Sequence, residues 1–89
     1  MTSIPNHIKR MANDRALIVS ARVGRNGLTT AIIEELIDRL NNRSLVKIKA
    51  NKGVVERTAE RIELFSEIAK MTESSLVFHR GNVAVFWKP

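Results

Sequence analysis

The six residues 24–29, Gly-Arg-Asn-Gly-Leu-Thr, join two segments that differ in the spacing of their apolar residues. Before them, the run from Leu17 to Val23 predicts a buried strand that ends at the first glycine. After them, Thr29 suits a helix N-cap, and Leu28 can pack on Ile33 as a hydrophobic staple. We therefore expect a strand, a tight turn and a helix in direct succession.

Three segments have the apolar spacing of a helix. The first is a short segment from about Ile4 to Ala12, with Met11 expected on its apolar side. The second follows the glycine turn and ends at Asn41-Asn42; its apolar stripe is Ile32, Ile33, Leu36, Ile37 and Leu40. The third follows Gly53, with apolar positions three and four residues apart at Val55, Thr58, Ile62, Phe65 and Ala69. Each helix should turn one apolar side to the core.

The segment from Leu45 to Ala50 alternates between apolar and polar residues, as a half-buried strand does. Its apolar side chains face the expected core, so Lys47 and Lys49 should face solvent. The two lysines can belong to a binding surface. They can equally be the solvated side of a strand that they protect from pairing with neighbouring molecules.

Two β-rich runs, Leu76 to Arg80 and Val83 to Trp87, are joined by Gly81-Asn82. This dipeptide is typical of a two-residue hairpin turn. The turn would pair Phe78 with Val85 and make the last two strands antiparallel neighbours.

The predicted elements follow the order α-β-α-β-α-β-β. The two strand–helix–strand units predict parallel strands, and the final hairpin must add an antiparallel strand. We therefore expect a single α/β domain over residues 1–89, built as a two-layer sandwich with a mixed four-stranded sheet.

Charge is distributed unevenly along this basic chain, whose formal net charge is +6 at pH 7. Residues 1–27 hold five basic residues against one acidic residue, and residues 45–52 hold three lysines and no acid. The segments 28–44 and 53–74, which contain the two longer predicted helices, each have a net negative charge. This segregation predicts a cationic surface on one side of the molecule, suited to a nucleic acid.

Several classes of function find no support in the residue types. The chain has no cysteine, which excludes disulfides and thiolate chemistry. His7 and His79 lack further ligands at metal-binding spacing, and no residue set has the spacing of a catalytic site. We expect no enzyme activity, cofactor, metal or small-molecule substrate. With no signal-peptide pattern and no apolar run that could span a bilayer, we expect a cytoplasmic protein without a membrane partner.

The glycine turn has the composition of a phosphate-binding loop. Another molecule can approach a glycine backbone closely, and the following helix presents unpaired N–H groups at its N-terminus. Arg25 and Asn26 can reach a nucleic acid on either side, although the segment can also be a plain strand-to-helix turn. Arg22, just before the turn, could contact phosphate or pair with Asp14 or Glu34.

Three stretches resemble the YhbY-like CRM domain family: Val19 to Ile33, Leu45-Val-Lys-Ile-Lys49 and Gly81-Asn-Val-Ala-Val-Phe-Trp-Lys-Pro89. The resemblance spans nearly the whole chain and implies a fold similar to the C-terminal domain of bacterial translation initiation factor three. It also implies a non-catalytic protein that binds RNA, namely ribosomal RNA or a precursor ribosomal particle, in ribosome assembly or RNA maturation. The residues that it assigns to RNA contact are Gly24, Arg25, Asn26 and Gly27, with Lys9, Arg10, Lys47 and Lys49 beside them.

Two other functions stay open at this point. A small basic α/β protein could bind duplex DNA as a chromatin protein similar to Alba, although the chain lacks that family's lysine pair near the N-terminus. It could also be an adaptor whose basic face docks an acidic protein. Trp87 leaves a similar choice, because it could stack on a base or cover a small core.

Overall fold

A computed structural model of the protein describes residues 4–24, 27–51 and 58–88. The elements, in chain order, are helix α1 (Asn6–Ala12), strand β1 (Val19–Val23), helix α2 (Thr30–Arg43), strand β2 (Leu45–Ala50), helix α3 (Thr58–Met71), strand β3 (Ser75–Arg80) and strand β4 (Val83–Trp87). The predicted order of helices and strands is confirmed. The expectations for Arg25, Asn26, Gly53 and Val55 lie outside the described residues.

The strands form one mixed sheet in the order β1-β2-β4-β3. Strands β1 and β2 are parallel, whereas β4 runs antiparallel to both of its neighbours. The hairpin register places Arg80 opposite Val83 and Phe78 opposite Val85, as the turn predicted. A bulge follows Leu76 on β3, farther from the turn. The predicted α/β class with a mixed four-stranded sheet is therefore confirmed.

Helices α2 and α3 cover one face of the sheet, where the main apolar cluster lies. Alternate residues of β2, namely Val46, Ile48 and Ala50, are fully buried in this cluster, as the alternation predicted. The helices contribute Leu36, Leu40, Phe65 and Ile68. Removing these side chains from water stabilises the fold by about 25 cal/mol per Å² of apolar surface.

Helix α1 lies on the opposite face of the sheet. Its buried residues, Ile8 and Ala12, form a second cluster with Leu45, Val85 and Trp87. Along β2 and β4 these side chains alternate with those of the main cluster, so they face the other way. The prediction of two layers is therefore incomplete, because α1 adds a partial third layer. A helix of seven residues with two buried side chains matches either face, so its pattern could not place it.

Three apolar residues that the pattern assigned to the interior are exposed: Met11 by 51%, Ile18 by 78% and Ile62 by 40%. Strand β1 begins two residues later than predicted, so Ile18 precedes it. Helix α3 docks through Phe65 and Ile68 instead of Ile62. Its apolar residues occupy a wide arc, and the position of the sheet decides which part of that arc is buried.

Candidate nucleic-acid interface

Two backbone hydrogen bonds close the glycine turn at its described ends. The N–H of Gly27 donates to the carbonyl of Gly24 at 3.0 Å, and the N–H of Thr29 donates to the carbonyl of Gly27 at 3.2 Å. Gly27 has φ +67°, a conformation in which a residue with a Cβ would be strained. Turn geometry therefore explains the glycine at position 27. Arg25 and Asn26, which were predicted to contact RNA, lie outside the described residues.

Glycine at position 24 has no such geometric reason. Positive φ is found at Gly27 and Gly81 among the described glycines, and not at Gly24. A Cβ at position 24 would lie 4.0 Å from Nδ2 of Asn51, which is an ordinary van der Waals contact. Within the described part of the chain, neither the backbone conformation nor a close contact therefore requires glycine at this position.

The turn leads directly into the N-terminus of α2. Thr29 is the N-cap, as predicted, because its Oγ1 accepts a hydrogen bond from the N–H of Ile32 at 3.2 Å. No acidic residue occupies the first turn of the helix. The partial positive charge of the helix end is therefore not offset by the helix's own first turn, which favours an anion beside it.

Three cations lie in register across the sheet. Arg22 of β1 is paired with Lys49 of β2. Lys49 lies opposite Val83 of β4, which in turn lies opposite Arg80 of β3. We call these four positions the cross-strand row. With strands 4.7–4.9 Å apart, the row spans about 14 Å.

The cross-strand row lies on the face of the sheet that carries α1. Both strand neighbours of Arg22, Ala21 and Val23, are buried in the main cluster under α2 and α3. The neighbours of Lys49 are buried there as well. Because successive side chains of a strand point to opposite faces, Arg22 and Lys49 point away from that cluster and are exposed.

Lys47 lies on the same face, one residue pair nearer to the α1 cluster. Its side chain is half-buried, and its Nζ donates a hydrogen bond to the carbonyl of Leu17 at 3.1 Å. The prediction that both lysines face solvent is therefore correct for Lys49 and wrong for Lys47. The Lys47 hydrogen bond links β2 to the segment just before β1. An ammonium group has three N–H donors, so this bond leaves capacity for an anion.

Helix α1 contributes further cations to this side of the molecule. Lys9 and Arg10 are exposed on it, and α1 itself packs on the face that carries the cross-strand row. Arg15, just beyond the helix, lines a groove together with Lys47 and Arg80. The predicted basic residues of α1 and β2 therefore lie on one side of the sheet.

Acidic residues are concentrated on the other side. Of the nine acidic residues, Asp14 alone lies outside positions 34–73. The other described acids lie on α2, on α3 or just after α3, beyond the opposite face of the sheet. Arg22 forms an ion pair with neither Asp14 nor Glu34 in the described part of the chain. The sheet thus separates a cationic side from an acidic one.

The sequence-based site did not include Arg80 or Arg15, which the structure brings close to Lys47. Arg80 belongs to the cross-strand row because β4 lies between β2 and β3. One signal for this was available. The predicted hairpin pairs Arg80 with Val83. If β4 also pairs with β2 so that Val83 lies opposite Lys49, then Arg80 and Lys49 lie on the same face of the sheet.

Trp87 belongs to the cluster under α1 and is 9% exposed. Of its two expected roles, the structure therefore supports the covering of a small core. Phe65 and Phe86 are buried, and Phe78 is half-buried beside the α1 cluster. Phe78 is thus the aromatic residue on this face whose side chain stays partly accessible.

Metal and membrane features are absent from the described part of the chain. Across residues 4–24, 27–51 and 58–88, no three His, Cys, Asp or Glu side chains are grouped so that they could hold a metal ion. Within the same ranges, no helix combines the length and the apolar content that a membrane span needs.

Comparison with known proteins agrees with this architecture. The solution structure of a hypothetical protein from Staphylococcus aureus, described as a proposed RNA-binding protein, has the same fold with a TM-score of 0.77. The match covers 98% of this chain and 90% of that chain at 21% sequence identity. No curated protein matches the sequence. The sequence profile of the CRS1 / YhbY (CRM) domain matches residues 6–88, and the chain therefore belongs to this family.

Proposed function

We propose that residues 1–89 form a non-catalytic RNA-binding domain that uses the glycine turn and the cationic side of the sheet. The observation that carries the proposal is the cross-strand row, in which Arg22, Lys49 and Arg80 share one face while the described acids other than Asp14 lie on the other side. Family membership and the description of the Staphylococcus aureus protein support RNA as the polyanion.

Phosphate contacts supply most of the affinity in this proposal. Arg22 and Lys49 offer two adjacent positive charges, and Lys9 and Arg10 of α1 extend the cationic surface. Each phosphate that these side chains neutralise releases counterions, so binding weakens steeply as salt rises. Strong salt dependence is therefore the expected property of the complex.

The glycine turn adds backbone contacts to these charges. A phosphate can approach Gly24 closely because it has no Cβ, and the positive end of α2 lies directly after the turn. In this proposal Arg25 and Asn26, between the glycines, contact the RNA on either side of that phosphate. A comparable glycine loop clamps the nucleic-acid backbone in KH modules.

The proposed target is structured ribosomal RNA, free or in a precursor ribosomal particle, and the proposed process is ribosome assembly or RNA maturation in the cytoplasm. This part of the proposal is supported by the resemblance to YhbY-like CRM proteins. A row of cations about 14 Å wide is better suited to contacting an RNA backbone than to reading base edges. Selectivity would then come from RNA shape and from a few exposed bases.

Reversing the charge of Arg25 tests the proposal directly. Affinity for a structured fragment of ribosomal RNA is measured by fluorescence anisotropy at fixed salt. Arg25→Glu should weaken binding about tenfold or more. It should leave the thermal midpoint nearly unchanged if Arg25 contacts RNA instead of other parts of the protein, as proposed. Lys70→Glu, which reverses an exposed charge on α3, is the control and should bind as wild type does.

Competition distinguishes this function from its rivals. Structured RNA should displace the labelled fragment at lower concentration than duplex DNA of equal length at the same salt. A protein that prefers duplex DNA would instead be of the Alba-like type. Purification with an acidic protein and no nuclease-sensitive nucleic acid would support the adaptor function. Wild-type affinity in Arg25→Glu would remove the glycine turn from the site.

A further inference from the structure

A groove of about 400 Å³ opens on the cationic side of the sheet, between the C-terminal end of α1 and strands β3 and β4. It adjoins the cross-strand row, since Arg80 and Val83 belong to both. Among the described residues, its lining includes neither glycine of the turn and neither Lys9 nor Arg10 of α1. The groove is therefore a feature beside the surface proposed to hold the RNA backbone.

The floor of the groove is apolar. Phe78 of β3 and Val83 of β4 both line it, and both side chains are half-buried. They lie on the same face of the sheet, since Phe78 is paired with Val85 of the α1 cluster and Val83 with Arg80. A partly accessible aromatic ring next to a branched aliphatic side chain is a surface on which a planar ring can pack.

The rim of the groove is cationic. Arg15 and Arg80 are exposed at its edges, and the ammonium of Lys47 is held in place by the Leu17 carbonyl. One acid, Asp14, also lines the groove, and its Oδ1 accepts a hydrogen bond from the N–H of Ala16 at 2.9 Å. Three positive charges thus surround an apolar floor. The single carboxylate beside them already accepts a hydrogen bond from a neighbouring backbone N–H.

We infer that this groove takes one unpaired nucleotide of the bound RNA, with its base on Phe78 and Val83 and its phosphate at Arg15 and Arg80. Bases inside a duplex present no free face to such a floor, whereas a bulged or looped base does. The cross-strand row leads into the groove through Arg80, so the same RNA backbone can contact both. The inference rests on the proposed RNA binding and adds that the preferred RNA has an unpaired residue.

The test compares two RNA hairpins that differ by one unpaired uridine in the stem. Wild-type protein should bind the bulged hairpin about tenfold more tightly, as expected for one base stacked on an aromatic surface. Arg15→Gln and Arg80→Gln should each lower this preference to about threefold or less, because the phosphate of the bulge loses a partner. Arg43→Gln, which removes an exposed charge at the end of α2, should keep the preference.

A second measurement does not depend on variants. With 4-thiouridine at the bulge, ultraviolet crosslinking to the wild-type protein should label peptides that contain residues 13–15 or 78–83. Equal affinity of wild-type protein for the two hairpins, or crosslinks confined to other residues, would overturn the inference and leave RNA binding intact. Failure to bind either hairpin at low salt would overturn the proposed function as well.

Discussion

Arg22 and Lys49 are directly paired on the parallel strands β1 and β2, so two like charges lie side by side on one face of the sheet. Neighbouring like charges on a sheet weaken the folded state by a fraction of a kcal/mol. In the part of the chain that the structure describes, no carboxylate forms an ion pair with Arg22. An arrangement that costs stability in the free protein is expected where an anionic ligand later neutralises it.

Removal of one of these charges should therefore have opposite effects on stability and binding. Lys49→Gln should raise the free energy of unfolding by a few tenths of a kcal/mol at low salt, because it relieves the repulsion from Arg22. The same change should lower RNA affinity and reduce the slope of log K against log salt by about one unit. Urea unfolding and salt titrations measure the two effects. Lys70→Gln on α3 should leave the salt slope unchanged; an equal change in both variants would contradict the role of the row.

The two glycines of the turn should respond differently to alanine. Gly24→Ala should keep the stability of the wild type or raise it slightly, because φ is not positive there and the described neighbours leave room for the Cβ. Gly27→Ala should cost about 1 kcal/mol, because its φ is +67°. Thermal melting measures both. If RNA phosphate approaches the backbone at Gly24, Gly24→Ala should weaken binding several-fold with no loss of stability. Unchanged affinity would show that the close approach does not occur at this residue.

Lys47 should contribute to stability as well as to binding. Lys47→Met removes the hydrogen bond to the Leu17 carbonyl and leaves that acceptor without its partner, at a cost of about 1 kcal/mol. Lys49→Met is the matched control, because Lys49 is exposed and makes no such bond. Chemical unfolding of the two variants should differ by about that amount plus the few tenths of a kcal/mol that Lys49→Met gains by relieving the repulsion from Arg22. A difference no larger than that gain would mean that the Lys47 bond contributes nothing in solution.

Trp87 should report folding and not RNA binding. The chain contains one tryptophan, so its fluorescence is specific to the cluster under α1. Saturating RNA should change the emission little, because a side chain that is 9% exposed has no free face for a base. Trp87→Ala should destabilise the fold by about 3 kcal/mol or more. Strong quenching by RNA would instead place a base against the tryptophan.

Several features followed from local chemistry and were predicted correctly. Thr29 caps α2, the Gly81-Asn82 turn sets the register of the last hairpin, and Val46 and Ile48 are buried on one side of β2. Each depends on residues within a few positions of one another. The hydrogen bonds and side-chain spacings that produce them are therefore already contained in short segments.

Other features depend on contacts between distant segments, and no local pattern contains them. The face that α1 covers is chosen by packing on Trp87 and Val85, far along the chain. Arg80 joins Arg22 and Lys49 because β4, and not β3, pairs with β2. Residue types and spacing were thus enough to predict the elements, their order and the glycine turn. The cations lie on one side because of the strand order and the placement of α1. Both are set by the burial of apolar surface over the whole molecule, and not within any one segment.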